Sequence, residues 1–320
     1  MQPTDQCADI LQRFNGQLTL FIEALEFQRM RSLSFDGYNS IETQIQRLLN
    51  NGHEAALHLH PQWPQASYAN STWQLDLKKW RIGDLSNEEA HEVVSLGLAY
   101  LSDLTTSKIT VFRAGGWAIQ PERHVLEALT ARQVIIDSTV APGAFNWARG
   151  DWFDFRSAPS LPYWQVSQNV CKNSLDGAIL EVPIATHHIG RLAHVRALLE
   201  KRRKPGFPNG CHGSYAGPNS RLDSFTGKCA KVLGLGRVML DFSALPASVL
   251  ITTLRGLTER YADFPGPIPI VAIGHNKNFS DDSAEALAEM LHWVSSQESI
   301  ALSSYDSWHQ SLMQHRQEAS

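Results

Sequence analysis

Seven or eight short apolar runs alternate with amphipathic stretches along this chain, and that alternation constrains the fold more than any other feature. The apolar runs read as strands at Gln17–Ala24, His53–His60, Ile109–Ala114, Gln133–Ser138, Ala178–Ile184, Arg237–Phe242, Pro269–His275 and Ser299–Ser303. Helix patterns lie between or before them, at Asp5–Phe14, Ser40–Asn50, Asn87–Thr105, Pro121–Ala131, Ile189–Lys201, Leu222–Leu233, Ala247–Tyr261 and Asp281–Ser296. Asn87 ahead of Glu88-Glu89, and Pro121-Glu122, are start signals. Strand–helix alternation predicts an α/β fold with a parallel sheet, and this number of units predicts a closed or nearly closed barrel rather than an open doubly wound sheet. No Gly/Ser-rich linker divides the sequence, so residues 1–320 read as one domain. The longest irregular stretch, Ala141–Asp176, reads as loops folded over one barrel end.

Composition removes several classes of function. With 43% hydrophobic and 19% charged residues in 320, the chain can bury one large core. A formal charge of -4 gives no electrostatic reason to expect nucleic acid or an anionic membrane as partner. The run Lys201-Arg202-Arg203-Lys204 reads as a solvated helix end. Cys7, Cys171, Cys211 and Cys229 are scattered with no CxxC pair, which points to reduced thiols rather than a zinc ribbon or a disulfide framework. The sequence shows neither a basic-then-apolar leader nor a run of about 18 apolar residues, so the expectation is a cytoplasmic protein with no membrane span.

The chemistry-bearing residues cluster at strand ends. In Leu57-His58-Leu59-His60-Pro61-Gln62-Trp63 two imidazoles stand two apart, so on a strand they share a face, and Pro61 stops the ladder behind them. Two neutral imidazoles so placed suit a divalent metal, although one packed and one solvated histidine would read the same way. Arg113, Asp137 and His275 each close another apolar run at its carboxyl end, and in a parallel barrel those ends make one rim, where active sites are built. Each also has a structural reading: Arg113 pairing with a loop carboxylate, Asp137 capping a turn with Ser138-Thr139, His275 packed or capping a helix. Gly115 and Gly116, before Trp117, suit either a turn needing positive φ or a bare backbone that a ligand can approach.

Together, Gly52-His53-Glu54-Ala55-Ala56-Leu57-His58, Phe112-Arg113-Ala114-Gly115-Gly116-Trp117, Ile136-Asp137-Ser138-Thr139-Val140, Leu180-Glu181-Val182-Pro183 and Ile273-Gly274-His275 resemble, in order and spacing, the polysaccharide deacetylase family with the NodB-like homology domain. The resemblance extends over nearly the whole chain. It implies a distorted (β/α)7-8 barrel and a metal-dependent carbohydrate esterase, usually with zinc, that removes acetyl groups from N-acetylated or O-acetylated sugars. It implies His58 as a metal ligand, His60 or its loop as the second histidine position, Arg113 as the residue orienting a catalytic carboxylate, and His275 as the general acid. Asp137 belongs with these as a catalytic candidate, and Trp63, Gly115, Gly116 and Trp117 as substrate-binding candidates.

Two positions depart from the family pattern. The family's first strand ends in two aspartates, a base and a metal ligand, about twenty residues before a Thr-Phe-Phe-like strand. Leu18-Thr19-Leu20-Phe21-Ile22 matches that later strand, so the barrel is expected to lack its first strand, and with it the base and the carboxylate ligand, for which Asp5 and Asp9 are poor substitutes; the expectation is an open parallel edge and a chain inactive as written. The family also spaces its histidines four apart, where this sequence has Gln62, with His60 in between. Two further functions stay open: a catalytically dead barrel that binds glycan through Trp63, Trp117 and Trp164, and a metal hydrolase of the amidohydrolase type, which also begins with His-x-His but requires further lysine, histidine and aspartate ligands. Loops such as Ala141–Asp176 and Pro205–Arg221 are expected to select the sugar.

Overall fold

The computed structural model describes residues 2–147, 152–190 and 237–318. The expected helices Ile189–Lys201 and Leu222–Leu233, the basic run at Lys201, Cys211, Cys229 and the loop Pro205–Arg221 lie outside them, apart from the first two residues of the Ile189 helix. The described residues form two compact units, one of residues 19–140 with 144–147 and 152–183, the other of residues 2–18 with 141–143, 184–190 and 237–318.

The sheet-bearing unit holds six strands in one sheet. Parallel pairs join β1 (Thr19–Glu23) to β2 (Glu54–Leu59), β2 to β5 (Val111–Ala114), β5 to β6 (Ile136–Asp137) and β6 to β10 (Ile179–Glu181). An antiparallel strand, β9 (Trp164–Val166), completes it beside β10. The expected parallel sheet is therefore present, with β1 as an edge strand of it. Ala55, Ala56, Leu57 and Leu59 of β2 are all buried, which is why this strand reads as an apolar run instead of an alternating one.

Helix α4 (Asn87–Leu104) packs on β2 and buries Ala90, Val93, Val94, Gly97, Tyr100, Leu101 and Leu104, an i, i+3, i+4, i+7 stripe. Its cap is Ser86 rather than Asn87. The Ser86 hydroxyl accepts from the Glu89 N–H, and the Glu89 carboxylate accepts from the Ser86 N–H. Helix α5 (Arg123–Ala131) starts later than the Pro121 signal suggests, after a cis Gln120–Pro121 bond. Helix α3 (Tyr38–Asn50) starts two residues before the expected Ser40, and β3 (Ser67–Ala69) and β4 (Thr72–Gln74) form an antiparallel hairpin. Several elements had no strong sequence signal. Helix α2 (Ala24–Ser32) follows β1 directly, and the stretch read as loops contains the hairpin β7 (Phe145–Asn146) and β8 (Phe153–Asp154), as well as β9.

The other unit is mainly helical. Helices α1 (Gln2–Gln12), α6 (Ala247–Arg260) and α7 (Asp281–Ser295) bury Ile10, Leu11, Leu250, Leu254, Leu257, Leu287 and Leu291 together. A short antiparallel pair, β11 (Thr186–His188) with β12 (Arg237–Met239), packs beside α6. The run Pro269–His275 makes only two isolated parallel bridges, Val271 to Ile184 and Ile273 to Asp241, and Pro267 and Pro269 have no N–H to extend a ladder. Ser299–Ser303 is not a strand; helix α8 (Tyr305–Glu318) follows and buries Tyr305, Trp308 and Leu312. Among the described residues no helix is long and apolar enough to cross a membrane.

Candidate metal centre

Strand register assembles the centre. β1 pairs with β2 so that Glu23 lies opposite His58, and β2 pairs with β5 so that His58 lies opposite Arg113. One row across three parallel strands therefore carries a carboxylate, an imidazole and a guanidinium at the carboxyl ends. His60, two residues past His58, completes a cluster with Glu23 in which one ligand atom from each residue lies within 4.8 Å of the others. The His58 and His60 rings stand edge to face, 5.0 Å between centroids.

Each imidazole is oriented by a fixed acceptor. The Arg113 carbonyl lies 2.8 Å from His58 Nδ1. A carbonyl can only accept, so Nδ1 carries the proton and Nε2 keeps its lone pair, the tautomer a metal-binding histidine needs. Burial above all, reinforced by the neighbouring His60, pushes the His58 pKa down to about 4, so the ring is neutral at ordinary pH. His60 Nδ1 pairs with Glu23 Oε2, and the His60 N–H donates to Glu23 Oε1 at 3.1 Å. For Glu23, burial alone would raise the pKa; attraction to His60 and hydrogen bonds from it outweigh that and hold the carboxylate below its usual range. Glu26, one turn into α2, is pushed up to about 7 by burial and by the Glu23 charge.

Two glycines shape the rim. A Cβ on Gly115 would lie 2.5 Å from His60 Cδ2 and 2.6 Å from the Leu59 carbonyl oxygen, so a bare α-carbon here lets the His60 ring pack against the backbone. Gly116, at φ 58°, turns the chain in the left-handed region. The two readings of this pair thus apply to different residues, with the close neighbour being the protein's own histidine.

Arg113 is tied down on both sides. Its guanidinium lies 3.8 Å from the Phe21 ring centroid, and it donates from Nε to the Ser138 carbonyl at 2.7 Å and from Nη2 to the Ser138 hydroxyl at 3.0 Å. Asp137 falls one register step from the Glu23–His58–Arg113 row, opposite Phe112 and Glu181, and is fully buried. Asp137 and Glu181 stand opposite each other in the β6–β10 register, with Asp137 Oδ2 and Glu181 Oε2 both buried and given no hydrogen bond by the described residues, a placement that opposes ionising both carboxyls. Burial, opposed by a hydrogen bond from Thr139, raises Asp137 to about 6; burial and the Asp137 charge raise Glu181 well above the usual range.

That pair has a measurable consequence. Both carboxyls hold protons more tightly folded than unfolded, so their contribution favours the fold at low pH; it is lost for Asp137 as pH rises from the ordinary aspartate value through about 6, and for Glu181 as pH rises above the ordinary glutamate range. Glu181→Gln supplies an amide donor to Asp137 without the second charge. It is expected to match wild type at pH 4 and to be more stable at pH 8, by on the order of 1–3 kcal/mol, read by thermal unfolding at both pH values. A less stable variant at pH 8 would show that the acids do not oppose each other's ionisation.

Of the proposed aromatic contacts, Trp63 and Trp164 pack in the core at 9% and 2% exposure, and the Trp164 indole N–H donates to the Val170 carbonyl at 2.9 Å. Trp117 is half-buried and meets Phe153 edge to face. Gln62, at the family's usual second histidine position, is buried. His275 belongs to the other unit, where its Nδ1 lies 3.4 Å from Asp241 Oδ2. Asp241 Oδ1 accepts from the Ser243 N–H and hydroxyl, and Ser243 Oγ accepts from the His275 N–H at 3.0 Å.

No family model matches this chain, and no curated protein does. Among solved structures, a provisionally assigned polysaccharide deacetylase from Mycobacterium smegmatis matches with a TM-score of 0.54 and 13% identity, over 98% of this chain and 77% of that one. The likeness is one of fold. Within it, Glu23 and Asp241 are the residues the sequence reading passed over. Glu23 carried the signal used elsewhere, an apolar run ending in a charged side chain at the carboxyl end of a strand.

Proposed function

We propose that the chain is a metal-dependent deacetylase removing acetyl groups from N-acetylated or O-acetylated sugars of a polysaccharide or its precursor, with zinc as the metal. The observation carrying this reading is the Glu23–His58–His60 cluster at the carboxyl ends of adjacent parallel strands. Its donor set fits zinc: one carboxylate held ionised and two imidazoles, one kept neutral with Nε2 available, are the ligand types and the number that catalytic zinc sites use. The fold likeness to the M. smegmatis protein supports the reading, as does the sequence resemblance. A single deacetylase-type barrel over residues 1–320 is part of the same proposal.

Bound zinc would lower the pKa of a water molecule and polarise the acetyl carbonyl. The remaining roles fall to the chain itself. Arg113, fixed by Phe21 and Ser138, holds a positive charge beside His58. The resemblance assigns His275 the protonation of the leaving amine or alkoxide; within its own unit its Nδ1 lies 3.4 Å from Asp241 Oδ2. Gly115, Gly116 and Trp117 form the rim assigned to substrate.

The test combines zinc content with acetate release from tetra-N-acetylchitotetraose and from an aryl acetate. Wild type should hold one zinc and cleave both, and His58→Ala should lose both properties. His275→Ala should lose about 10²–10⁴-fold on the sugar amide, a poor leaving group, and far less on the aryl ester, whose phenolate leaves unaided. Zinc without acetate release would leave a glycan-binding protein; no zinc would overturn the metal centre.

A further inference from the structure

We propose that Phe145, Trp147 and Trp152 form a stacking subsite for a neutral glycan chain, joined to the metal centre through a short series of ring contacts. The choice of a sugar as ligand rests on the function proposed above; the placement rests on contacts alone. Two routes lead from His60 to the β7–β8 hairpin. The His60 ring packs against Gly115, which opens the turn ending in Trp117, and Trp117 meets Phe153 of β8 at 5.7 Å. The same ring lies 5.4 Å from Trp80, whose neighbour Arg81 sits 5.1 Å from the Trp152 ring centroid.

The platform is held in place before any ligand arrives. Phe145 pairs with Asp154 and Asn146 with Phe153, and Gln120 brackets Asp154 through its N–H at 2.7 Å and its carbonyl at 3.2 Å. Arg156 grips Asp154 with two bonds of 2.9 and 2.6 Å, and its guanidinium lies 4.8 Å from the Phe145 centroid and 4.7 Å from that of Trp147. With a guanidinium against each ring, Phe145 is still 52%, Trp147 60% and Trp152 38% exposed. Exposed aromatic rings have few side-chain torsions to fix on binding, and their electron-rich faces complement the C–H faces of pyranose rings. The cations here are matched, Arg156 by Asp154 and Arg81 by Asp84 at 3.2 Å, so the surface favours an uncharged chain over an acidic one.

Trp147→Ala and Trp152→Ala test this, since neither residue is buried. Tetra-N-acetylchitotetraose is the probe, followed by tryptophan fluorescence and by KM, with zinc content, aryl-acetate turnover and sedimentation velocity measured in parallel. Each variant should bind the tetrasaccharide about tenfold more weakly and raise its KM similarly, with zinc and aryl-acetate turnover unchanged. Wild type that fails to bind the tetrasaccharide saturably, or variants that bind it as well as wild type, would overturn the subsite. So would variants that alter only self-association, because the hairpin would then contact a second copy. Wild type without zinc or aryl-acetate turnover, but with tetrasaccharide binding lost in the variants, would overturn the deacetylase and keep the subsite.

Discussion

Glu23→Ala abolishes zinc binding at this centre while leaving the protein folded: that is the expected result of removing the one carboxylate in the cluster. Outer-shell partners of a metal typically contribute about 10–100-fold in affinity, and losing a ligand should exceed about 100-fold. The fold should survive because Glu23 ends an edge strand and is only partly buried, with Ile22, Ala24 and Leu25 supplying the local core. Thermal unfolding with and without zinc reads the effect directly. Wild type at a free zinc concentration of 100 times Kd should gain about 2.7 kcal/mol, and the variant essentially none. A variant still stabilised by zinc would place the metal elsewhere.

Gly115→Ala should weaken the same centre without replacing a ligand. The added Cβ meets His60 Cδ2 at 2.5 Å, His60 Nε2 at 2.6 Å and the Leu59 carbonyl oxygen at 2.6 Å. The carbonyl belongs to β2 and cannot swing aside, so either the strand end or the His60 ring must move. The expected outcome is a loss of about 10–100-fold in zinc affinity by calorimetry, with a stability cost of about 1–3 kcal/mol from overpacking. Unchanged zinc affinity would show that His60 does not ligate through the position it holds here.

Much of this arrangement was legible in the residues. The apolar run Ala55-Ala56-Leu57 needs burial on both faces, which only an interior parallel strand gives, and it carries His58 and His60 to the strand end by the period of two. Helix boundaries were legible where amphipathic spacing was strong, as in α4 and α7. They slipped by two residues at α5, expected from Pro121 but starting at Arg123. Helix α8 left little trace because only Tyr305, Trp308 and Leu312 of its fourteen residues are buried.

What the sequence determined by itself was the alternation of strands and helices, the mostly parallel sheet and the presence of imidazole, guanidinium and carboxylate groups at strand ends. These follow from local periodicity, which each segment carries within itself. Which carboxylate joins the histidines was decided by the tertiary structure, because the β1–β2 register that sets Glu23 opposite His58 spans 35 residues and no local pattern encodes it. The same holds for Asp137 and Glu181, two buried acids brought opposite each other only when β6 and β10 pair, and for Gly115, whose missing side chain has meaning only once His60 lies against it.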